Sequence, residues 1–384
     1  NIKSDSSKYF NNLEILINKK NNLKLYQSNK IILRKNFYYY FDILLTKESF
    51  DLNNNKNIID LSGFGFQNDW ALIQIGRGRE DWGAGNDLAL GICGDSKPYD
   101  YLLLSSNYGK IRVNYIHGVL ETTSENINRY ITARGVEWTN KESVVVSLSE
   151  TVIYSGLNRN IDIAYLNPIS SHLELELNNR LNYPNNFNAN AVWQLHFDYL
   201  FKNFSRLSIN YLIDEFVLDP DIEIGKEHGK AYSLKYVFPF FNIRNENLRF
   251  YFSKIYVGTP TYRHGNGFNN FVQKDEPLGW ANGSDGLENS IGVAYSKLNN
   301  IIVECSIGKN EIGQESIIYR PYEPYADYIK SKFPSGQVLH NIIIKNYVNL
   351  RLKNNFHLIY RGLFHIKNKD YLDINICFGL GFYY

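Results

Sequence analysis

Two tryptophans stand among acids, amides and bases in glycine-rich stretches of this chain. Trp82 lies with Asp81, Asn86, Asp87 and Asp95, and Tyr99 and Tyr101 follow. Trp280 lies with Tyr262, Arg263, His264 and Asp285. Aromatic faces stack on sugar rings, and sugar hydroxyls need fixed donors and acceptors of both kinds. The chemistry these residues suit is non-covalent carbohydrate recognition. Its candidates are Trp82, Asp81, Asp95, Tyr262, Arg263, His264, Trp280 and Asp285. Packing inside a plug, or a girdle at a membrane interface, would use the same aromatics.

Other chemistries have weaker patterns. Gly76-Arg77-Gly78 lacks the third glycine and the following helix of a dinucleotide site. Gly94-Asp95-Ser96 has no placed histidine to activate the serine. His264 has no second histidine at ligand spacing, and Cys93, Cys305 and Cys377 are scattered without metal-ligand spacing, so no metal is expected. Cys305 and Cys377 sit in strand patterns as small wall or core residues. The carboxylate pairs Glu80/Asp81 and Asp214/Glu215 are of the kind that cleaves glycosides, but such pairs also occur as charge ladders of a barrel wall. The expectation is a non-enzyme without cofactor.

The elements that must position these residues are strands. In the last thirteen residues Leu372, Ile374, Ile376, Phe378, Leu380, Phe382 and Tyr384 share one face. Opposite them stand Asp373, Asn375, Cys377, Gly379, Gly381 and Tyr383. Side chains alternate across a strand, and a tilted strand that crosses a bilayer needs about 9–11 residues. The same alternation runs through Trp193–Phe201 against Gln194, His196 and Asp198, and through Leu207–Ile213 against Ser208 and Asn210. It returns in Ile342–Leu352 and Phe356–Ile366, and helical periodicity is nearly absent after residue 40. Asn-rich turns at 53–55, 185–186, 299–300 and 354–355 punctuate these runs.

Composition agrees. Hydrophobic residues make up 44% and aromatics 15%, with 30 Tyr and 23 Phe, and mean hydropathy is −0.35. No apolar run reaches the roughly 18 residues of a membrane helix. A barrel strand gives lipid only every second residue, so low hydropathy is compatible with a membrane address. A net charge of +2 lacks the concentrated basic face that nucleic acid requires. The chain has no Met and no visible signal peptide, which fits a mature chain or a fragment.

The expected fold is therefore all-β, a transmembrane antiparallel β-barrel of the bacterial outer membrane. At roughly 20 residues per strand and connection it has between about 14 and 18 strands. Residues 37–384 are expected to form the barrel, with the last strand closing near Phe37–Leu45. Residues 1–36 would be a separate periplasmic or plug segment. Long loops near 76–98, 258–289 and 308–338, rich in Gly, Pro and charge, would fill the lumen.

At these residues the chain resembles the Wzi-type capsule assembly proteins of Gram-negative outer membranes. The motifs are IGRGREDWGAG (75–85), GDSKPYDYLLLSS (94–106), YLIDEF (211–216), FYFSKIYVGTPTYRHGN (250–266) and PLGWANGSD (277–285). They come in the family's order and cover about residues 70–300. Residues 1–36 are shorter than the family's helical plug, and Gly94-Asp95-Ser96-Lys97 replaces a frequent Asn-Ala-Arg. The resemblance implies a plugged barrel of about eighteen strands. It would bind capsular or exopolysaccharide and help attach or assemble it at the cell surface, in contact with outer-membrane lipid and polysaccharide export machinery. The signature positions it carries over are Arg77, Trp82, Gly83, Gly85, Asp214, Glu215, Tyr262, His264, Pro277, Gly279 and Asp285. Arg77 is expected to pair with an acid inside the lumen. The alternative is a porin-like channel for small solutes or saccharides.

Overall fold

The structure is a computed structural model. It describes residues 8–18, 23–33, 36–46, 59–182, 189–214, 227–243, 245–298, 300–325, 332–353, 356–367 and 371–383. The first strands are β1 (Lys8–Asn18), β2 (Leu23–Leu33), β3 (Phe37–Thr46), β4 (Ile59–Gln67), β5 (Ala71–Gly78) and β6 (Tyr99–Tyr108). Next come β7 (Ile111–Thr122), β8 (Ile127–Thr139), β9 (Val144–Leu157), β10 (Ala189–Leu200), β11 (Arg206–Ile213), β12 (Lys230–Ile243) and β13 (Glu246–Val257). After a small ribbon of β14 (Val272–Gln273) and β15 (Glu276–Pro277) follow β16 (Gly286–Lys297), β17 (Ile301–Ile312), β18 (Leu339–Lys353), β19 (Phe356–Lys367) and β20 (Tyr371–Tyr383). Apart from the ribbon, these form one 18-stranded sheet in which chain neighbours pair antiparallel. Strand β20 returns to β1, with Ile15 opposite Phe378 and Leu13 opposite Leu380.

The alternation in the sequence becomes inside and outside. On β10, Leu195 is 48% exposed on the outer face, whereas Gln194, His196 and Asp198 are buried toward the lumen. On β5, Ile73 and Ile75 are exposed outward. Lipid offers no hydrogen bonds, so polar side chains turn inward and every backbone group pairs within the wall.

Connections segregate by length. Tight turns at 68–70, 109–110, 140–143 and 201–205 occupy one end. In two of them an asparagine side chain holds the turn: Asn68 Oδ1 accepts from the Trp70 and Ala71 amides, and Asn140 Oδ1 accepts from the amides of Glu142, Ser143 and Val144. Of the Asn pairs read as turns, only Asn300 is among the described residues, and its amide closes on the Lys297 carbonyl at 3.0 Å. The long connections 79–98, 158–188, 214–229, 258–285 and 313–338 all emerge at the opposite end. In outer-membrane barrels the longer loops face outward, which fixes that end as the extracellular one.

Two expectations are corrected. Residues 8–18 and 23–33, expected within a separate plug segment, are wall strands, and closure falls to β1 rather than to Phe37–Leu45; the rest of that segment up to residue 35 lies outside the described residues. The Asn/Lys-rich composition of these two strands hid the alternation, because neither face is cleanly apolar. Between the strands, β5 runs to Gly78 and β6 starts at Tyr99, β13 ends at Val257 and β16 starts at Gly286, and β17 runs to Ile312. A further long connection, 158–188, was not foreseen. Cys93, Cys305 and Cys377 are all free thiols; Cys305 is exposed and Cys377 buried.

Candidate functional site

A barrel of eight strands fills itself with side chains, whereas an eighteen-stranded one leaves a wide interior. Here loops enter it. Residues 82–91 cross from the β5–β6 wall to β10–β12, held by three polar side chains of the far wall. The Asn210 amide accepts from the Ala84 N–H at 2.7 Å and donates to the carbonyls of Ala84 and Leu88 at 2.9 and 3.2 Å. Gln194 does the same for Gly91 N–H (2.7 Å) and the Trp82 carbonyl (2.8 Å). The Ser233 hydroxyl donates to the Leu88 carbonyl at 2.7 Å. Between these bonds Leu88, Leu90 and Ile92 enter an apolar core with Ile116, Ile131, Ile153, Val192 and Leu212 of the wall.

The loop 258–285 packs on top of this segment. Tyr262 donates its hydroxyl to the Leu90 carbonyl at 2.6 Å, and Cys93 N–H donates to the Leu278 carbonyl at 2.8 Å. Gly279 lies so close that a β-carbon there would stand 2.2 Å from the Leu90 carbonyl oxygen, which only glycine permits. Arg129 on β8 is fully buried and donates to the carbonyls of Phe268, Asn270 and Val272 while pairing with Glu121. Asp285 ties this loop to the next. Its carboxylate accepts from the Thr259 hydroxyl (2.8 Å), the Ser335 amide and hydroxyl (3.0 and 2.5 Å) and the Glu315 amide (3.2 Å).

The sequence-predicted residues divide on this frame. Asp285 and Tyr262 are fully buried, and Arg263 and Trp280 nearly so. Asp214 accepts from the Tyr262 backbone amide, and Arg263 donates to the Glu315 carbonyl and carboxylate (2.7 and 3.0 Å) with its guanidinium over the Tyr325 ring. Tyr262, Arg263 and Asp285 brace loops and Trp280 packs in the core, so the expectation that these four present themselves to glycan is corrected by their burial. Pro277 sits in the β14–β15 ribbon opposite Val272. Gly83 packs against Asn210, and Gly85 takes a positive φ of 76°. Glu215 lies outside the described residues. Arg77 does pair with an acid, Asp100 at 3.4 Å, but on the outer face, because it shares that face with Ile73 and Ile75.

Asp81 and Asp95 stay exposed and Trp82 and His264 half-buried. Enclosure within the lumen, joined by the charges of Asp87 and Asp95, pushes the Asp81 carboxyl up to about 6. Burial likewise raises Glu80, which accepts from the Tyr101 hydroxyl at 2.7 Å. His264 is held below the ordinary imidazole range by burial, and its Nδ1 accepts from the Asn266 amide at 2.9 Å. The plug is eccentric. It leaves a cavity of about 810 Å³ toward β12–β20, lined by Asp87, Lys235, Glu288, Glu304, Lys345 and Arg361 among others, and one of about 530 Å³ against the turn-end halves of β5–β10, lined by Asp81, Trp82, Arg112, Glu137 and His196 among others. The clamps Gln194, Asn210, Ser233 and Arg129 escaped sequence reading. For Arg129 a signal existed: a charge in the row Arg129, Ile131, Ala133 that faces the interior.

No family model matches the chain, and no curated protein matches it significantly. Solved structures do. One is Wzi, an outer membrane protein involved in group 1 capsule assembly in Escherichia coli and described as a carbohydrate-binding β-barrel. It aligns with a TM-score of 0.68 at 10% identity, over 97% of this chain and 84% of that one. OprD of Pseudomonas aeruginosa aligns at 0.53 and 10% identity, over 100% and 96%. OccK3 (OpdO) of the same organism aligns at 0.54 and 7% identity, over 99% and 96%. At such identities the likeness is one of fold. The protein is a β-barrel of the bacterial outer membrane.

Proposed function

We propose that this barrel binds surface polysaccharide at its extracellular loops, without catalysis, and helps attach or assemble it at the cell surface. The observation that carries the reading is the plug. The loops that would gate a channel are instead bonded to the far wall and to one another around an apolar core. Their rigidity suits a binding platform, since a preformed site loses little entropy on binding. The similarity to a carbohydrate-binding barrel supports the same direction. Asp95 and His264 keep access to water and remain the glycan candidates of the original set, whereas Asp81 and Trp82 face a cavity shared with Asn68, Asp69 and Trp70 of the opposite, turn end. Tyr319, half exposed on loop 313–338 near Arg320, adds an aromatic face that the sequence reading did not single out. A glycan array probed with the purified protein tests the proposal; absence of saturable binding to any acidic or neutral surface polysaccharide overturns it.

The cavity of about 810 Å³ favours a second reading, a channel for small solutes, and the two porin folds above share the architecture. Conductance across a planar bilayer separates the two. The polysaccharide-binding reading expects the intact protein to be silent.

A further inference from the structure

The connection 158–182 does not enter the lumen. Its contacts lie on the outside of the wall. Ile116, Ala133, Thr151 and Val192 pair in one row across β7–β10 and face inward, so their alternates face outward. Those alternates include Tyr115, His117, Tyr130, Thr132, Arg134, Glu150, Val152 and Tyr154, and every one is buried. What covers them is the loop. The Tyr115 hydroxyl donates to the Tyr165 carbonyl at 2.9 Å, and Arg134 donates to the Asn167 carbonyl at 3.2 Å. The His172 amide donates to both oxygens of Glu150, and the Tyr165 ring stacks on Tyr154 at 4.5 Å. A short helix, α1 (His172–Leu177), turns His172 and Leu175 toward the wall.

The outer surface of this strap carries six exposed aliphatic residues, with Asn160, Asn167 and the carboxylates of Glu174 and Glu176 between them. Ile169 is 89% exposed, Leu177 73% and Ile163 72%, with Ile161, Leu166 and Leu173 exposed beside them. Beneath it Arg134 pairs with Glu150 at 3.4 Å, and the next cross-strand pair toward the turn end is Val136 with Leu148, both exposed outward. An ion pair thus sits one step from the lipid-facing belt. A charge left to hydrocarbon is costly even on the lenient insertion scales.

We propose that residues 158–182 form an external strap that docks on the acyl chains of the outer leaflet. It replaces a polar stretch of the wall with Ile161, Ile163, Leu166, Ile169, Leu173 and Leu177. Two observations choose lipid as the occupant. The aliphatic surface continues the belt of Val136, Leu148 and Leu195 on the same strands, and the charges it covers require an apolar shield only where hydrocarbon would otherwise reach them. The strap's polar residues Asn178, Asn179 and Arg180, exposed together, belong at headgroup level, as in interfacial amphipathic segments.

The test uses the full chain reconstituted in phosphatidylcholine vesicles with or without bromine on the acyl chains. Ile169→Trp and Leu177→Trp are compared with Leu148→Trp in the belt and Lys141→Trp in a turn, after subtraction of the parent's own fluorescence. The added fluorescence at 169 and 177 should be quenched by brominated lipid to the same extent as at 148, and little affected by aqueous acrylamide. Quenching by acrylamide and not by lipid, as expected at 141, would overturn the proposal by placing the strap in water. Protection from both quenchers would overturn it in favour of a protein cover or a second copy. A circular-dichroism melt of each variant confirms that the barrel is folded.

Discussion

At the scale of single residues, Asp285 shows how a motif position and its role come apart. A Gly-x-Asp string is visible in the sequence, but its partners Thr259, Glu315 and Ser335 come from two loops. Asp285→Ala leaves several buried donors unpaired, at about 1–3 kcal/mol each. Limited proteolysis should then cut loops 258–285 and 313–338 faster than in the parent while the strands stay protected. Asp81 gives a pH dependence. Its folded pKa of about 6 is raised above the usual carboxylate value, so the proton is bound more tightly in the folded loop. The associated stability is full below about 4 and lost as pH rises through about 6. Amide exchange in residues 82–91 should be slower at pH 5 than at pH 8 by more than the intrinsic rate change, and Asp81→Asn should abolish that excess. Tyr319→Ala should weaken glycan retention several-fold, in line with the roughly 0.5–1.5 kcal/mol of an aromatic contact, and leave the melting curve unchanged.

At the scale of elements, the plug and the strap are two uses of long loops. Replacing residues 82–92 by a short Gly-Ser linker removes the backbone groups that Gln194, Asn210 and Ser233 hold. Bilayer recordings should then show conductance where the parent shows none; continued silence would mean that other loops seal the lumen. Residues 76–98 and 258–289 were legible as loops because Gly, Pro and charge break the two-residue period. Residues 158–182 were not, because Ile161, Ile163 and the HLELEL run offer apolar spacing that reads as wall or core. Nothing local says which side of the sheet they lie on. If the strap shields Arg134 and Glu150, deleting 160–180 should lower the barrel's resistance to heat unfolding. Adding Arg134→Leu and Glu150→Leu should restore much of the loss, since hydrocarbon then meets no charge.

At the scale of the whole molecule, closure is the decisive event. Strand β1 bridges β2 and β20, so a chain lacking residues 1–22 would leave two unpaired edges in lipid. Such a truncation should fail to yield a heat-resistant barrel, whereas removal of a separate plug would have spared one. The sequence by itself determined the membrane address, the all-β class and the approximate strand count. Each of these follows from the two-residue period and its interruptions, which are local properties. Only the tertiary structure decided that the N-terminal residues belong to the wall and that Arg77 points outward. It also showed that Tyr262, Arg263 and Asp285 brace loops and Trp280 packs in the core instead of facing solvent, and that one loop clothes the outside of the barrel. Those facts depend on which residues meet across a closed sheet, and contacts between positions from some twenty to several hundred apart leave no period in the chain.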